Sequence, residues 1–529
     1  MKNPIDNLFR ARINYWNVIQ FLILASIFSY YFLENFILSA SWEVLTLRSI
    51  DDYAMQDSVR SMQKALLAGN WARVFGFFDY AYGNAFWLLN SILLLPLYFI
   101  NDAQTLIVVG RQISLFFVFG SIYIIGLIID RIRPDARLLK YPILIALATM
   151  PMVSIISTKL HVNAQSVFFG VLSLYFLIRS AEINRGSMLF SALFAGMAIG
   201  FKLTGVFIIP LLCFTLLNRL SRRGVKDAVI GTSGYLAVTL TIAAACTTPA
   251  LLLFPFYLNE LGSTYKTFLL FKNMGSAEVD ISLGVLVDSF RFYFSPFGLA
   301  VILASFALLI LNDIKNRRYI SLYILGSIAS AVLLVLLVVH KGPPYIATYL
   351  LNLAFFMPLG LLGICTLKHV PNSLKIILAY CLVVGGLLYG TEHRIKILAP
   401  YDFFTIEKNE KVKRQLLALE EIRRLVYPLE LPVRILQDTS SIFPATRFTN
   451  GVEVAINYGD LKEKSTWGDF NYILLNSDSY YGKKLNSGEL IYDIEEATRN
   501  TLQNTGDFYG RKYKLVYKGY DALLYKLEK

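Results

Sequence analysis

Ser49-Ile-Asp-Asp-Tyr-Ala-Met-Gln-Asp-Ser-Val-Arg-Ser-Met-Gln-Lys-Ala-Leu-Leu-Ala-Gly-Asn-Trp71 follows directly on the first long apolar run of the chain. Met55, Val59, Met62 and Leu66 recur at i, i+4, i+7 and i+11, which makes one stripe of a helix. Asp52, Gln56, Arg60, Gln63 and Lys64 take its other faces. A helix so divided lies in a membrane interface rather than across it. Two adjacent carboxylates, Asp51 and Asp52, therefore stand where a span emerges and an interfacial helix begins.

The rest of the composition fits that reading. Of 529 residues, 56% are hydrophobic and 16% charged, against about 25% charged in soluble chains. Apolar runs recur at lengths near the ~20 residues that cross a bilayer. Met1–Asn14 carries Lys2, Arg10 and Arg12 ahead of the run from Tyr15 to Leu38. No small-residue cleavage site follows, so this reads as an uncleaved first span rather than a signal peptide. The net charge of +13 is spread over short loops between spans, where topology accounts for it without nucleic acid. Cys213, Cys246, Cys365 and Cys381 all sit inside apolar runs, with neither metal spacing nor a disulfide framework.

Expected spans are 15–38, 105–129, 141–158, 163–180, 186–202, 204–218, 228–252, 287–311, 319–340, 346–366 and 374–391, about eleven in all. Residues 85–99 are apolar but short, with Asn90 and Pro96 inside. If they do not cross, the loops holding Arg131, Arg133, Arg137, Lys140, Arg219, Arg222, Arg223, Lys315, Arg317 and Arg318 share the side of the N-terminus, as the positive-inside rule requires. Residues 85–99 then form a second interfacial or re-entrant helix in a long first external loop, 39–104. The fold expected is an α-helical polytopic membrane protein, residues 1–393, followed by a small external α/β domain, residues 394–529. In the latter, 409–427 reads as an amphipathic helix with Leu416, Leu419, Ile422 and Leu425 or Val426 on one side. Val433–Leu436 and Tyr472–Leu475 read as buried strands, and Lys512–Tyr517 with Ala522–Leu527 as a terminal hairpin.

On the expected external side the topology gathers Asp51, Asp52, Asp57, Lys159, His161, Lys202, Glu260 and Lys341, with Tyr345 and His393 near. Carboxylates beside cations suit a base that activates an acceptor while the cations hold an anionic leaving group. Plainer readings stand beside this one. The acid pair caps a helix N-terminus, Lys202 snorkels between two spans, Lys341 is a turn residue, and Arg111 is an interfacial arginine. The histidines lack ligand spacing and read as solvated or hydrogen-bonded. The aromatic run Phe75–Trp87, with Tyr82, is an interface belt or the lining of a sugar site.

This order of features resembles the GT-C superfamily of membrane glycosyltransferases, above all its protein O-mannosyltransferase and aminoarabinose transferase branch. The likeness runs over roughly residues 10–350. It rests on Asp51-Asp52 after the first span, Ala68-Gly-Asn-Trp71 closing the interfacial helix, and Tyr82-Gly-Asn-Ala-Phe-Trp87 opening the second. Arg111-Gln-Ile-Ser114 on the next span, the glycine-rich Gly196–Gly205 around Lys202, and His340-Lys341 before Tyr345 and Tyr349 complete it. The resemblance implies an inverting glycosyltransferase with a polyprenyl-phosphate sugar donor, acting at the outer face of a bacterial inner membrane on a glycan, lipid or protein acceptor. It implies Asp51 and Asp52 as catalytic acids and Lys202, Lys341, Arg111 and Tyr345 as holders of the donor phosphate. His161, Asn163, Lys159, Glu260, Tyr82 and Trp87 then line the acceptor or sugar site. No cofactor is called for, and a divalent metal ion is left open. One departure stands out. Where the superfamily often places a second acid, the turn Thr158–Gln165 has Asn163 and no acid, which argues against a metal shared between two loops. The competing readings are a transporter or flippase of lipid-linked sugars and a surface-glycan polymerase or ligase. The span pattern shows no repeat in two halves, as many transporters do.

Overall fold

A computed structural model describes residues 15–38, 50–76, 82–99, 103–134, 137–157, 160–179, 183–247, 293–294, 296–315, 354–367, 370–381, 433–437, 452–456, 470–476, 496–508, 510–519 and 522–528, with scattered further positions that include parts of 417–426. The helices of the first half are α1 (Tyr15–Leu38), α2 (Ile50–Leu67), α3 (Trp71–Gly76), α4 (Asn84–Leu93), α5 (Leu95–Tyr98), α6 (Ala103–Ile132), α7 (Arg137–Ala148), α8 (Pro151–Ser157), α9 (Val162–Ile178), α10 (Arg185–Phe201), α11 (Ile209–Leu220) and α12 (Val225–Thr247). Helix α13 (Pro296–Lys315) and a 3₁₀ helix, Met357–Thr366, follow.

Among the described residues four helices are long and apolar enough to cross a membrane, within α1, α6, α12 and α13. The protein is an integral membrane protein. The expected count of about eleven spans reaches into residues outside those described, 319–340 among them. Three expected spans differ in detail. The run 141–158 is two helices, α7 and α8, parted at Thr149–Met150. Pro151 has no N–H to give the ladder and pushes Met150 out of helical geometry. The run 204–218 begins as a 3₁₀ turn, Leu203–Ile208, before α11. The run 287–311 is helical as Pro296–Lys315, with proline at the first position, where its missing N–H costs nothing.

Within the bundle, lipid-like solvent gives helices no hydrophobic reason to associate, so close packing and polar contacts do it. Gln20 Nε2 of α1 donates to Tyr123 O of α6 (2.8 Å), and Asn35 Nδ2 to Ser157 O at the end of α8 (2.8 Å). Ser173, Ser191 and Tyr235 close a buried hydroxyl triangle between α9, α10 and α12. Lys140 on α7, its side chain wholly buried, pairs with Asp130 of α6 at 2.8 Å. These contacts enclose one large core shared by α1 and α6 through α13.

Residues 85–99 do not form a span. They fold as α4 and α5, with the break at Leu94 ahead of Pro96. Ten residues of α4 rise about 15 Å, half of what a crossing takes. Helices α2, α3 and α4 share a second core with the ends of α6, α9 and α10. Val59 and Met62, two of the four stripe residues of α2, are fully buried in it.

Residues 433–527 contain a six-stranded sheet of order β2-β1-β3-β6-β5-β4. The strands are β1 (Val433–Gln437), β2 (Val452–Ile456), β3 (Tyr472–Asn476), β4 (Asp507–Phe508), β5 (Arg511–Gly519) and β6 (Ala522–Leu527), with helix α14 (Glu496–Thr505) between β3 and β4. Strand β1 runs parallel to β2 and β3, and the hairpin β5–β6 adds antiparallel. One face packs on Ala418, Ile422 and Val426, the other around Leu502 of α14. Of the residues expected on the buried side of this helix, Ile422 and Val426 are buried, together with Ala418, while Leu425 is exposed and Leu416 and Leu419 lie outside the described residues.

Candidate active site

The acid pair stands in the first turn of α2. What holds α2 in place starts with its far end. Gly69, at φ +65°, turns the chain out of the helix, a conformation open to glycine, and Asn70 N donates back to Ala65 O (2.9 Å). Asn70 Oδ1 then accepts from Arg73 N (3.1 Å), capping α3. Trp71 stacks on Phe75 and stays 58% exposed, as an interfacial aromatic does.

Helix α4 is tied to α2 along its length. Gln63 Nε2 donates to Ser91 O (3.2 Å), Ser91 Oγ to Val59 O (3.3 Å), and Arg60 reaches Tyr98 O (2.9 Å) with its guanidinium over the Tyr98 ring. Asn90 of α4 and Gln165 of α9 exchange amide hydrogen bonds, 2.8 and 3.2 Å, with both side chains fully buried. Ser166 Oγ continues to Ala198 O of α10 (2.9 Å). A polar belt thus runs from α2 through α4 and α9 to α10.

At the start of α4, Tyr82 and Lys202 form an antiparallel bridge. Gly83 N donates to Phe201 O (3.1 Å), and Lys202 Nζ lies 5.7 Å from the Tyr82 ring centroid. Only glycine fits at 83, since a Cβ there would stand 1.7 Å from Gly200 O. The glycines around Lys202 are packing residues as well. A Cβ on Gly196 would meet Ile242 at 2.6 Å, one on Gly200 Cys246 at 2.2 Å, and one on Gly205 Ala198 O at 2.4 Å. The glycine-rich segment lets α10 and α12 touch and lets the turn carrying Lys202 fold back against α10.

Arg111, on α6, is fully buried. One turn on, Ser114 Oγ accepts from His161 N (2.9 Å). His161 caps α9, its Nδ1 accepting from Asn163 N (3.2 Å). Asn163 is 3% exposed, and its Nδ2 finds no partner among the described residues. Trp87 is fully buried between Phe86 and Tyr82, so it supports the surface that Tyr82 presents. The structure thus brings Tyr82, Trp87, His161, Asn163 and Lys202 around the second core, with Arg111 on the adjoining turn of α6. Lys159, Glu260, Lys341, Tyr345 and His393 lie outside the described residues, as do the side chains of Asp51, Asp52 and Asp57. Among the described residues no three His, Cys, Asp or Glu side chains gather as metal ligands. His161 and Asn163 do not make such a site, one committing its Nδ1 to the backbone and the other offering an amide. Glu34, Asn35 and Gln165 are buried polar residues that the sequence reading passed over, and Asn90 one that it used only to judge the run 85–99; a polar residue within an apolar run was the available signal.

The architecture has solved counterparts. ArnT from Cupriavidus metallidurans bound to undecaprenyl phosphate superposes with a TM-score of 0.55 over 95% of this chain and 97% of its own, at 13% identity. The chain shares the fold of that structure. A lower score is found for ArnT from Cupriavidus metallidurans in the apo state (TM-score 0.49, 12% identity, 89% and 92% covered). A lower one still is found for the Archaeoglobus fulgidus oligosaccharyltransferase tethered with an acceptor peptide (0.43, 12%, 80% and 62%). No family model matches the sequence, and no curated protein does.

Proposed function

We propose that the chain is an inverting glycosyltransferase that moves a sugar from a polyprenyl-phosphate donor to a glycan, lipid or protein acceptor at the external face of a bacterial inner membrane. The observation that carries this reading is the fold shared with an undecaprenyl phosphate-bound ArnT. The coherence of the site supports it: an acid-bearing helix is bonded through α4 to the turn of Lys202.

In the proposed reaction the acceptor hydroxyl oxygen attacks the anomeric carbon from the face opposite the phosphate. The bond from that carbon to the phosphate oxygen breaks, and polyprenyl phosphate leaves with the electron pair. Asp51 takes the hydroxyl proton, with Asp52 beside it. Lys202, Lys341 and Arg111 hold the leaving phosphate, and Tyr345 donates to it. Charge-assisted contacts of this kind are stronger than neutral ones and tighten as charge builds on the leaving oxygen. The spans around the site take the polyprenyl chain.

A positioned base is worth roughly 10²–10⁴-fold in rate. Asp51→Asn should therefore abolish detectable transfer while the protein is made and inserted at wild-type level. Mass spectrometry of surface glycans and glycoproteins reads this directly. Loss of one discrete sugar mass supports transfer; an unchanged spectrum in both Asp51→Asn and Asp52→Asn rejects it in favour of a transporter.

A further inference from the structure

The hairpin β5–β6 lies toward one side of the sheet, and the proposed reaction makes no use of its outer strand. Strand β4 accompanies β5 only over Arg511–Lys512, with one further bond from Tyr513 N to Gly506 O (2.7 Å). From Lys514 to Gly519 the outer edge of β5 has no partner strand among the described residues.

Five cations stand exposed on this hairpin: Arg511, Lys512, Lys514, Lys518 and Lys526. The described acids beside them are Asp507, paired with Lys512 at 3.7 Å, and the exposed Glu528, so the surface stays positive. Lys514 and Lys526 are direct cross-strand partners. Their side chains leave the same face, where like charges repel. Between Lys514 and Lys518 two neighbouring apolar side chains are exposed, Leu515 (41%) and Val516 (36%). The register jumps from Leu515↔Tyr525 to Tyr517↔Leu524, so Val516 is the extra residue of a bulge.

Lysines on an edge strand have a plainer use, which is to keep another strand from adding to it. That accounts for the charge but not for Leu515 and Val516, which such protection would replace with polar residues. The two features together match a lipid–water interface, where apolar side chains sink to the acyl boundary and cations meet phosphates. The sheet and the membrane helices belong to one chain, so the encounter is intramolecular, and contacts too weak to hold a free domain suffice. We propose that the outer edge of β5 docks on the bilayer in which the same chain sits. Leu515 and Val516 enter the interface, and Lys512, Lys514, Lys518 and Lys526 meet the headgroups of anionic phospholipids with their ammonium groups in water. Phosphates at this edge also relieve the repulsion between Lys514 and Lys526.

The test uses the full-length protein with its native cysteines replaced and Val516→Cys carrying a fluorophore. It is placed in nanodiscs of phosphatidylcholine, with or without phosphatidylglycerol, that contain a spin-labelled lipid with its nitroxide near the headgroup. Quenching is expected in the phosphatidylglycerol discs and should largely vanish at about 1 M salt, where the Debye length is ~3 Å. Each lysine at an anionic surface is worth roughly a fivefold shift. Lys514→Gln with Lys518→Gln should therefore lower the docked-to-free ratio about twentyfold, while Lys514→Arg with Lys518→Arg should keep it. Loss in the arginine pair equal to that in the glutamine pair would mean that the lysines act on the fold, and overturns the proposal. Equal quenching in both lipids, indifferent to salt, would mean apolar insertion without headgroup recognition and overturns it too. A label that iodide quenches and the lipid does not would show an edge in water, its lysines serving only to block pairing. A label shielded from both quenchers would show a protein surface or a second copy on the edge; either result rejects docking on lipid. None of these outcomes depends on the transfer reading, which Asp51→Asn tests separately.

Discussion

Lys202 shows how one side chain is placed by its surroundings. Its backbone is bridged to Tyr82, its neighbour Phe201 accepts from Gly83, and its ammonium lies over the Tyr82 ring. A cation over an aromatic face is worth about 0.5–2 kcal/mol, enough to choose among the rotamers of a long side chain. Lys202→Gln should weaken binding of undecaprenyl phosphate about tenfold or more, the loss of a charge-assisted contact, and Tyr82→Leu by a smaller factor. Isothermal titration in detergent checks both, and a stronger effect from Tyr82→Leu would reverse the assignment. Residues of this kind were only partly legible in the sequence. Lys202 was, because a lysine between two apolar runs is conspicuous. Glu34, Asn35 and Gln165 were not: each sits inside an apolar stretch, and only the register of neighbouring helices reveals what each of them meets.

At the scale of elements, periodicity served where one face was apolar and the other not. The stripe of α2 reads directly, and Val59 and Met62 are indeed buried. Hydropathy alone could not see the break between α7 and α8, since both halves are equally apolar, and Pro151 was the sole signal. Helix α14 escaped because Glu496–Thr505 is polar almost all round, with Leu502 fully buried and its described neighbours Asn500, Thr501 and Gln503–Thr505 exposed. On the 417–426 helix Ile422 and Val426 pack on the sheet as their spacing predicts, and Ala418 joins them, a residue too small to mark a face by itself. The joint between α4 and α10 also belongs to this scale. Gly83→Ala puts a methyl 1.7 Å from Gly200 O, a backbone atom that cannot step aside. Overpacking costs typically 1–3 kcal/mol and more where the backbone must shift, so this variant should lower the unfolding temperature measured by tryptophan fluorescence, whereas Gly234→Ala, with open space around it, should not.

For the whole molecule, the proposed topology sets the N-terminus and the arginine-rich loops on one side and the six-stranded sheet on the other. With the native cysteines replaced, Lys514→Cys in β5, an exposed position, should react with a membrane-impermeant maleimide in spheroplasts. Arg133→Cys should react only after the membrane is opened. The reverse pattern would invert the protein and move the reaction to the cytoplasmic face.

Helix α6 carries charge at both ends: the buried Arg111 near one, and the half-buried Asp130, paired with the buried Lys140 of α7, near the other. The nineteen residues of rise between Arg111 and Asp130 come to roughly 28 Å, close to the ~30 Å hydrocarbon thickness of a bilayer. A helix pinned by both ends is a gauge. It cannot slide to suit a thinner or thicker lipid, and the lipid must deform to suit it, at a cost that grows with each ångström of mismatch. Turnover measured across phosphatidylcholines of increasing acyl length should therefore pass through a maximum, and a flat response would show that neither end is anchored.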